Sequence, residues 1–447
     1  MMKKWFYTYN HKRPYVKRLL VIGVVIGLVA ASGLALLLLS PSSTPALFTY
    51  QTDLDTEGYF YYGSPAMDDQ YVYIGTSVKW HHLADGASQI PNSFQLICLD
   101  KSDGHLVWRH DLGRAEVQNG PMLLDGKVII SVGYYNASNY HTNATVMAFN
   151  ASSGQPLWET QVVASVPTNY SIDGGPWDQQ SNAAFLFQGL ATDGSDTLLV
   201  GGDKLRSLHP DNGSLLWEAD LGENINFIVM DGQSAYACSR GHIYKVYVDN
   251  GSRDWDLQYQ NGSQWHIGFQ CVVLPDHSVL VGLSGYLWRL NSDGSLNWSF
   301  DTGGLDIRAQ PAVDSLGNIY VGTKANEQSV FFKIDSEGQE VWRVNVGADM
   351  YSSPVLGDDG KVYVGSENGP DVRCGIHVFD VDTGDLLQKF DTEADLIWFS
   401  PIISDGILYV GDMRGVFYAF SVSSSEMDPN AMWPCRDNGP MRQAKTS

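Results

Sequence analysis

A Gly-x-x-x-Trp frame recurs six times along the chain, at Gly104/Trp108, Gly154/Trp158, Gly213/Trp217, Gly251/Trp255, Gly294/Trp298 and Gly338/Trp342. The successive Trp spacings are 50, 59, 38, 43 and 44 residues, and a seventh copy, Gly384/Gln388, keeps the frame without the Trp. Residues 311–346 show what one copy contains. Pro311–Val313 is a short apolar run that ends in a turn, and Ile319–Gly322 and Val330–Asp335 are rich in β-branched and aromatic residues. Glu340–Val346 then alternates apolar and polar after a Gly turn. Four short strands at a period of this size predict an all-β chain, a β-propeller.

A four-stranded sheet has two faces, and each must be covered by a neighbouring copy. A Trp on the outermost strand reaches that neighbour with a large apolar surface and an indole N–H that needs an acceptor. The Gly supplies the positive φ of the turn before it. Trp108, Trp158, Trp217, Trp255, Trp298 and Trp342 are therefore expected to be docking residues and not a ligand cage. Ala46–Asp53 reads as an outer strand with Phe48 in the Trp position, and it has no inner strands before it. Pro401–Phe420 reads as three strands with no outer strand after them. The N-terminal strand is expected to complete that last sheet and remove its free edge. Six Trp frames, Gln388 and Phe48 predict an eight-bladed β-propeller of four-stranded antiparallel blades over residues 46–425. Its inner strands begin near Pro65, Pro121, Leu190, Ile228, Cys271, Pro311, Pro354 and Pro401, and the copy at about 225–257 is the least regular.

Residues 1–18 carry six basic side chains and no acid, which reads as a basic cytoplasmic segment. Leu19–Leu39 follows with no charge, long enough to cross a bilayer as a helix, and the basic flank places the N-terminus inside and the body outside. A cleaved signal peptide is the alternative. Its apolar core would be long, and Ser40-Pro41-Ser42-Ser43 is a poor cleavage site. Residues 40–45 form a linker and 426–447 a C-terminal tail with a Trp-Pro motif. Beyond residue 39 the chain holds 22 basic against 50 acidic residues, which disfavours nucleic acid and anionic lipid as partners. The five cysteines, at 98, 238, 271, 374 and 435, form no CxxC, adjacent pair or CxxCH, so metal, redox and haem motifs are absent. Three of them fall in predicted strands as small buried hydrophobes.

Long insertions at Thr76–Ser93, Gly133–Ala144 and Glu367–Cys374, between second and third strands, and at Val162–Asn182, between copies, fall on one face of the disc. Loops on a rigid scaffold carry function, so this face is the expected interaction surface. The position three residues before each inner strand should ring the channel mouth on that face, as Tyr62, Gln118, Phe187, Ile225, Gly268, Arg308, Tyr351 and Trp398. The four aromatics leave two readings open, a stacking funnel or a plug of the channel. Arg308, Trp398, Tyr351, Tyr62 and Phe187 are the candidate cofactor or small-ligand residues. Trp80, His81, His82, His141 and Trp177, on the inserted loops, are the candidate protein-binding residues. His81 and His82 are adjacent and point opposite ways on a strand, and no third ligand stands at a recognisable spacing, so no metal site is expected. Spacing assembles no catalytic set.

The frame small-x-Asp-x₃-Gly-x₃-Trp resembles the quinoprotein-type (PQQ-like) propeller repeat. It stands as Cys98-Leu99-Asp100…Gly104…Trp108 and, with Asn for Asp, as Ala148-Phe149-Asn150…Gly154…Trp158. Val378-Phe379-Asp380…Gly384 keeps it with Gln388 for Trp. Ser64-Pro65, Ser353-Pro354 and Ser400-Pro401 are similar to the family's inner-strand starts, and Trp433-Pro434-Cys435-Arg436-Asp437-Asn438 is similar to its terminal motif. The resemblance covers residues 46–442, and WD-repeat and kelch patterns fit worse. It implies one of two characters. Quinone-dependent dehydrogenases of the family have adjacent cysteines, calcium ligands and a catalytic Asp, and a tricarboxylate quinone needs several cationic donors where the mouth offers Arg308 alone. The non-catalytic group includes the propeller of the bacterial outer-membrane protein assembly machinery, which implies a scaffold for protein contacts. This chain resembles the second group, with a membrane helix in place of a lipidated Cys. The expectation is a membrane-anchored, extracytoplasmic, monomeric propeller that binds a protein partner, without catalysis or cofactor. A dehydrogenase using PQQ with calcium, and a small-ligand sensor using the aromatic mouth, are the alternatives.

Overall fold

The computed structural model describes residues 44–53, 58–60, 63–77, 93–117, 119–136, 140–163, 189–194, 196–239, 241–259, 271–325, 328–367, 369, 372–393, 397 and 399–438. The chain divides into units of residues 1–40 and 41–447, and the second is described below. The expected membrane span at 19–39 lies outside the described residues. Among the described residues no helix is long and apolar enough to cross a membrane.

β1 (Phe48–Gln51) comes first and stands apart from the sheet that follows it in sequence. That sheet is β2 (Ala66–Met67), β3 (Tyr71–Gly75), β4 (Gln95–Asp100) and β5 (Leu106–Asp111), hydrogen-bonded in chain order. A short β6 (Ala115–Val117) leads to β7 (Met122–Leu124), β8 (Lys127–Asn136), β9 (Tyr140–Asn150) and β10 (Pro156–Val163), and also pairs with β8. The next sheet is β11 (Leu190–Thr192), β12 (Leu198–Val200), β13 (Leu205–Leu208) and β14 (Leu215–Ala219). It is followed by β15 (Phe227–Asp231), β16 (Ser234–Cys238), β17 (His242–Tyr247) and β18 (Arg253–Gln258). Then come β19 (Cys271–Val273), β20 (Val279–Leu290) and β21 (Leu296–Ile307). Here β20 fills the second and third positions in one run, with Gly285 at φ 77° between its halves. The sheet of β22 (Ala312–Val313), β23 (Ile319–Lys324), β24 (Val330–Ile334) and β25 (Glu340–Asn345) is joined to it where the end of β21 pairs with β23. β26 (Val355–Leu356), β27 (Lys361–Ser366), β28 (Gly375–Asp380) and β29 (Leu386–Asp391) form another four-stranded sheet. The last strands, β30 (Ile402–Ser404), β31 (Ile407–Gly411) and β32 (Val416–Ser421), take β1 as their fourth member, with Phe48 opposite Ala419.

Each of the six Trp residues reaches from its own outer strand to the next copy. Each indole N–H donates to a carbonyl in the following sheet's turn: Trp108 to Ala151 at 2.8 Å, Trp158 to Pro210 at 3.0 Å and Trp217 to Val248 at 2.9 Å. Trp255 reaches Ser292 and Trp298 reaches Ser336, both at 3.0 Å, and Trp342 reaches Val381 at 3.1 Å. Each ring also lies on the glycine of that turn. At Gly154 the backbone has φ 67°, and a Cβ would stand 2.6 Å from the Trp108 ring, so any side chain is excluded twice over. Phe48 covers Gly104 in the same way, so the last sheet docks on the first and the circle of contacts closes. Gln388 has no such turn to cover, because the next sheet's outer strand is β1, which arrives from elsewhere in the chain. Its amide donates instead to the Thr44 hydroxyl at 2.9 Å.

Three docks carry a feature that the small-x-Asp frame hides. Opposite Trp255, Trp298 and Trp342 stand Lys245, Arg289 and Lys333, in place of a small residue. Each cation donates to the same carbonyl as its Trp, at 3.0 Å to Ser292, 2.9 Å to Ser336 and 2.8 Å to Val381. Lys245 and Lys333 also lie over the rings of Tyr236 and Tyr320 at 5.7 and 5.5 Å. Around the inner side, the Ser-Pro starts link neighbours. The Gln310 amide donates to Ser353 Oγ and the Ser353 amide to Ser400 Oγ, each at 3.0 Å, and the Ser400 amide donates to the Gly63 carbonyl at 2.8 Å.

Two expectations need correction. Residues 133–136 and 140–144, expected in a loop, are strand. β8 and β9 continue through them as a ladder pairing Gly133 with Ala144 and Asn136 with Tyr140. The copy at 225–257 is regular, with β15 to β18 paired in simple register except for one shift between Lys245 and Val246. The irregular copy is the following one, where β20 merges two strands and β21 runs on into the next sheet.

Trp298→Phe keeps the apolar cover and leaves the Ser336 carbonyl to Arg289, so a loss of about 1 kcal/mol is expected from urea unfolding. Trp298→Ala is expected to cost about 3 kcal/mol. Gln388→Trp should gain nothing, because no glycine turn lies beneath it.

Candidate functional site

A recess of about 370 Å³ lies between the outer strands of two neighbouring sheets. The end of β25 and the residue after it supply Val344, Asn345 and Val346, β28 supplies His377 and Phe379, and β29 supplies Leu386, Lys389 and Asp391. Its rim is Val372 and Arg373, from the insertion between β27 and β28. The recess thus adjoins one of the four insertions read from the sequence.

Alternation along β28 puts His377 and Phe379 on one face, and their rings stack at 6.0 Å. His377 is buried, with Nε2 2.9 Å from Ser366 Oγ. Burial, and then the nearby Lys389 ammonium, push the imidazole down to about 3, so it is neutral at physiological pH. Lys389 lies 3.5 Å from the Asp391 carboxylate and donates to the Arg373 carbonyl, which holds the rim down. The Arg373 side chain is exposed, and among the described residues its guanidinium has no ion-pair partner. On a chain of net charge −22, this is an apolar groove with a cationic rim. It suits a carboxylate flanked by apolar side chains.

The expected channel mouth is different. Arg308 and Tyr351 do come together, with the guanidinium 5.9 Å from the ring centroid. The Arg308 side chain is only 13% exposed and donates to Asp306 at 3.2 Å, and Tyr351 is buried. Ile225 is fully buried and bridges to Gly202, so it packs between sheets and does not line a mouth. Tyr62, Gln118, Phe187, Gly268 and Trp398 lie outside the described residues, as do Trp80, His81, His82 and Trp177. His141 is placed on β9 opposite Tyr135, on a strand where a loop was expected.

The C-terminal tail takes the inner position. Trp433 exchanges backbone hydrogen bonds with Val313 at 2.7 and 2.9 Å, and the Leu356 amide donates to the Pro434 carbonyl at 2.8 Å, so the tail runs along the innermost β22 and β26. Trp433 is fully buried in the core shared by β15–β17 and β19–β24. Beyond it the Asp437 amide donates to Gln310 Oε1 at 2.8 Å, and Arg436 donates to Asn119 Oδ1, in front of β7, at 3.2 Å. Reaching both places around a ring of sheets takes the tail across its middle. One further cluster, Asp100, Asp103 and His105, is accounted for by its own turn, since both carboxylates accept backbone amides there.

These features define a propeller of quinoprotein-type repeats. The family model described as Outer membrane protein assembly factor BamB matches residues 53–174, 142–300 and 283–427, and the chain belongs to that family. A relative with that name from Yersinia pestis is 25% identical over 332 residues, covering 60% of this chain and 79% of the relative. The crystal structure of BamB from Moraxella catarrhalis superposes with a TM-score of 0.58 at 13% identity, over 85% of this chain and 99% of that one. The quinohemoprotein alcohol dehydrogenase from Comamonas testosteroni gives 0.59 at 11% identity, over 87% and 78%. An assembly factor and an enzyme fit equally well, so these two structures speak for the fold alone.

Because the unfolded chain protonates His377 near pH 6.5 and the folded chain does not until about pH 3, stability should fall as pH drops below 6.5. About 2 kcal/mol is expected to go between pH 7 and 5 from this residue. Unfolding free energies from urea titration at the two pH values should differ by about 2 kcal/mol less in His377→Gln. Trp433→Ala is expected to cost about 3–5 kcal/mol in the same assay, as a core residue would and a loose tail would not.

Proposed function

We propose that the chain is a membrane-anchored, extracytoplasmic, eight-bladed propeller that serves as a non-catalytic scaffold for protein partners in envelope protein assembly. The observation that carries this reading is the recess between β25 and β28–β29, with Arg373, from the insertion between β27 and β28, at its rim. Family membership supports the assembly role. Counting the sheet completed by β1 as the last blade and dividing the joined sheet of β19 to β25 in two gives eight. The basic residues before the uncharged 19–39 segment support an anchored chain with its body outside.

The partner we infer is an extended peptide segment with a carboxylate beside apolar side chains. A quinone cofactor fits poorly. Among the described residues around the expected mouth, the Arg308 guanidinium is committed to Asp306 and Tyr351, and Arg436 of the tail is bonded to Asn119 on the inner side. A photo-crosslinking side chain placed at Leu386, inside the recess, should capture envelope proteins in cells making the full chain. The same probe at Leu316, 78% exposed in the turn between β22 and β23, should not. Arg373→Glu is expected to lower the Leu386 crosslinks several-fold. Equal capture from both positions, or indifference to Arg373→Glu, would remove the recess from the binding surface.

A further inference from the structure

Cys238 ends β16 and Cys271 begins β19, so they belong to neighbouring sheets. Spacing gave no reason to connect them, yet their Sγ atoms lie 3.3 Å apart and both residues are fully buried. All five cysteines lie among the described residues, and this is the one sulfur–sulfur contact between them. Cys374 and Cys435 donate to the carbonyls of Ser366 and Arg436. Both thiols of the pair are free in the structure, and they sit in one apolar cluster with Phe227, Tyr236 and Tyr259. The surrounding backbone is held on both sides. The Tyr259 hydroxyl donates to the Ser239 carbonyl at 2.7 Å, and Gln310 Nε2 donates to the Cys271 carbonyl at 2.9 Å. A disulfide bond is about 2.05 Å long, so an approach of roughly 1.2 Å closes it.

We propose that Cys238 and Cys271 form a disulfide in the mature protein, stapling the sheet of β15–β18 to the sheet of β19–β21. The proposal rests on the extracytoplasmic placement above, because such bonds persist in oxidising compartments. One thiol, deprotonated, attacks the disulfide of an extracytoplasmic thiol–disulfide oxidase and forms a mixed disulfide. The second thiolate displaces the oxidase sulfur. The Sγ–Sγ bond is made, the oxidase disulfide is reduced to two thiols by the two electrons, and those thiols take up the two protons. Burial closes the site to large reagents once the two sheets have docked, so the bond forms while they come together and afterwards is shielded from reductant. It encloses β17 and β18 in a covalent loop, which restricts the unfolded chain.

The full chain isolated from expressing cells should be denatured in an alkylating agent before and after reduction. Three alkylated cysteines before reduction and five after are expected, with one linked peptide pair containing Cys238 and Cys271. Cys238→Ser and Cys271→Ser should each free the partner, giving four alkylated cysteines without reduction. Dithiothreitol should leave the bond intact in the native chain and open it in urea. Five alkylated cysteines before reduction, or a link to Cys98, Cys374 or Cys435, would overturn the proposal. Refolding the reduced chain in a glutathione redox buffer separates the causes of failure. A bond that forms there and not in cells overturns the cellular disulfide through the compartment, whereas no bond in either overturns it through the geometry.

Discussion

The rest of the structure depends on one contact, an indole laid over a glycine turn of the next sheet with its N–H on a carbonyl of that turn. Neither half works alone. The glycine needs positive φ and an empty Cβ position, and the ring needs both a flat surface and an acceptor. Repeated from sheet to sheet, the contact makes each sheet a template for the next, as in other repeat architectures where a unit cannot bury its own faces. Where it is modified, a physical cause is visible. Phe48 offers a ring without a donor at the closure with Gly104, and Gln388 offers a donor without a ring where no turn lies beneath it.

Closure is reinforced in two further ways. β1 supplies the edge of the last sheet, and Lys101 of the first sheet's turn reaches Ser404 at 2.8 Å while accepting at its carbonyl the Tyr409 hydroxyl at 2.9 Å. On the inner side the tail threads along β22 and β26 and extends to Asn119. A ring so constrained holds its loops and grooves at fixed positions, which a scaffold requires and which catalysis alone does not distinguish.

The fold was legible because its determinant is local and periodic. The Gly and the Trp stand four residues apart, and the strands between copies follow from β-branched runs and turns. The second layer was not legible. Lys245, Arg289 and Lys333 read as ordinary strand positions until their register opposite a Trp is known. The ladder that β8 and β9 form was misread because its length looked like an insertion. The recess draws on Val344, Arg373, His377 and Lys389, from three strands and a loop, and no spacing rule gathers those. Arg308 and Tyr351 were brought together, but with the guanidinium held by Asp306 and the Tyr351 ring buried, which a register count cannot show.

Partners are proposed to bind at the groove between β25 and β28–β29. The most direct measurement is hydrogen–deuterium exchange of the full chain, once as a complex captured from native membranes and once stripped of its partners. Slower exchange is expected in the complex at residues 340–346 and 372–391, with the turns at 314–318 and 357–360 unchanged. Protection confined to those turns, or no difference anywhere, would contradict it.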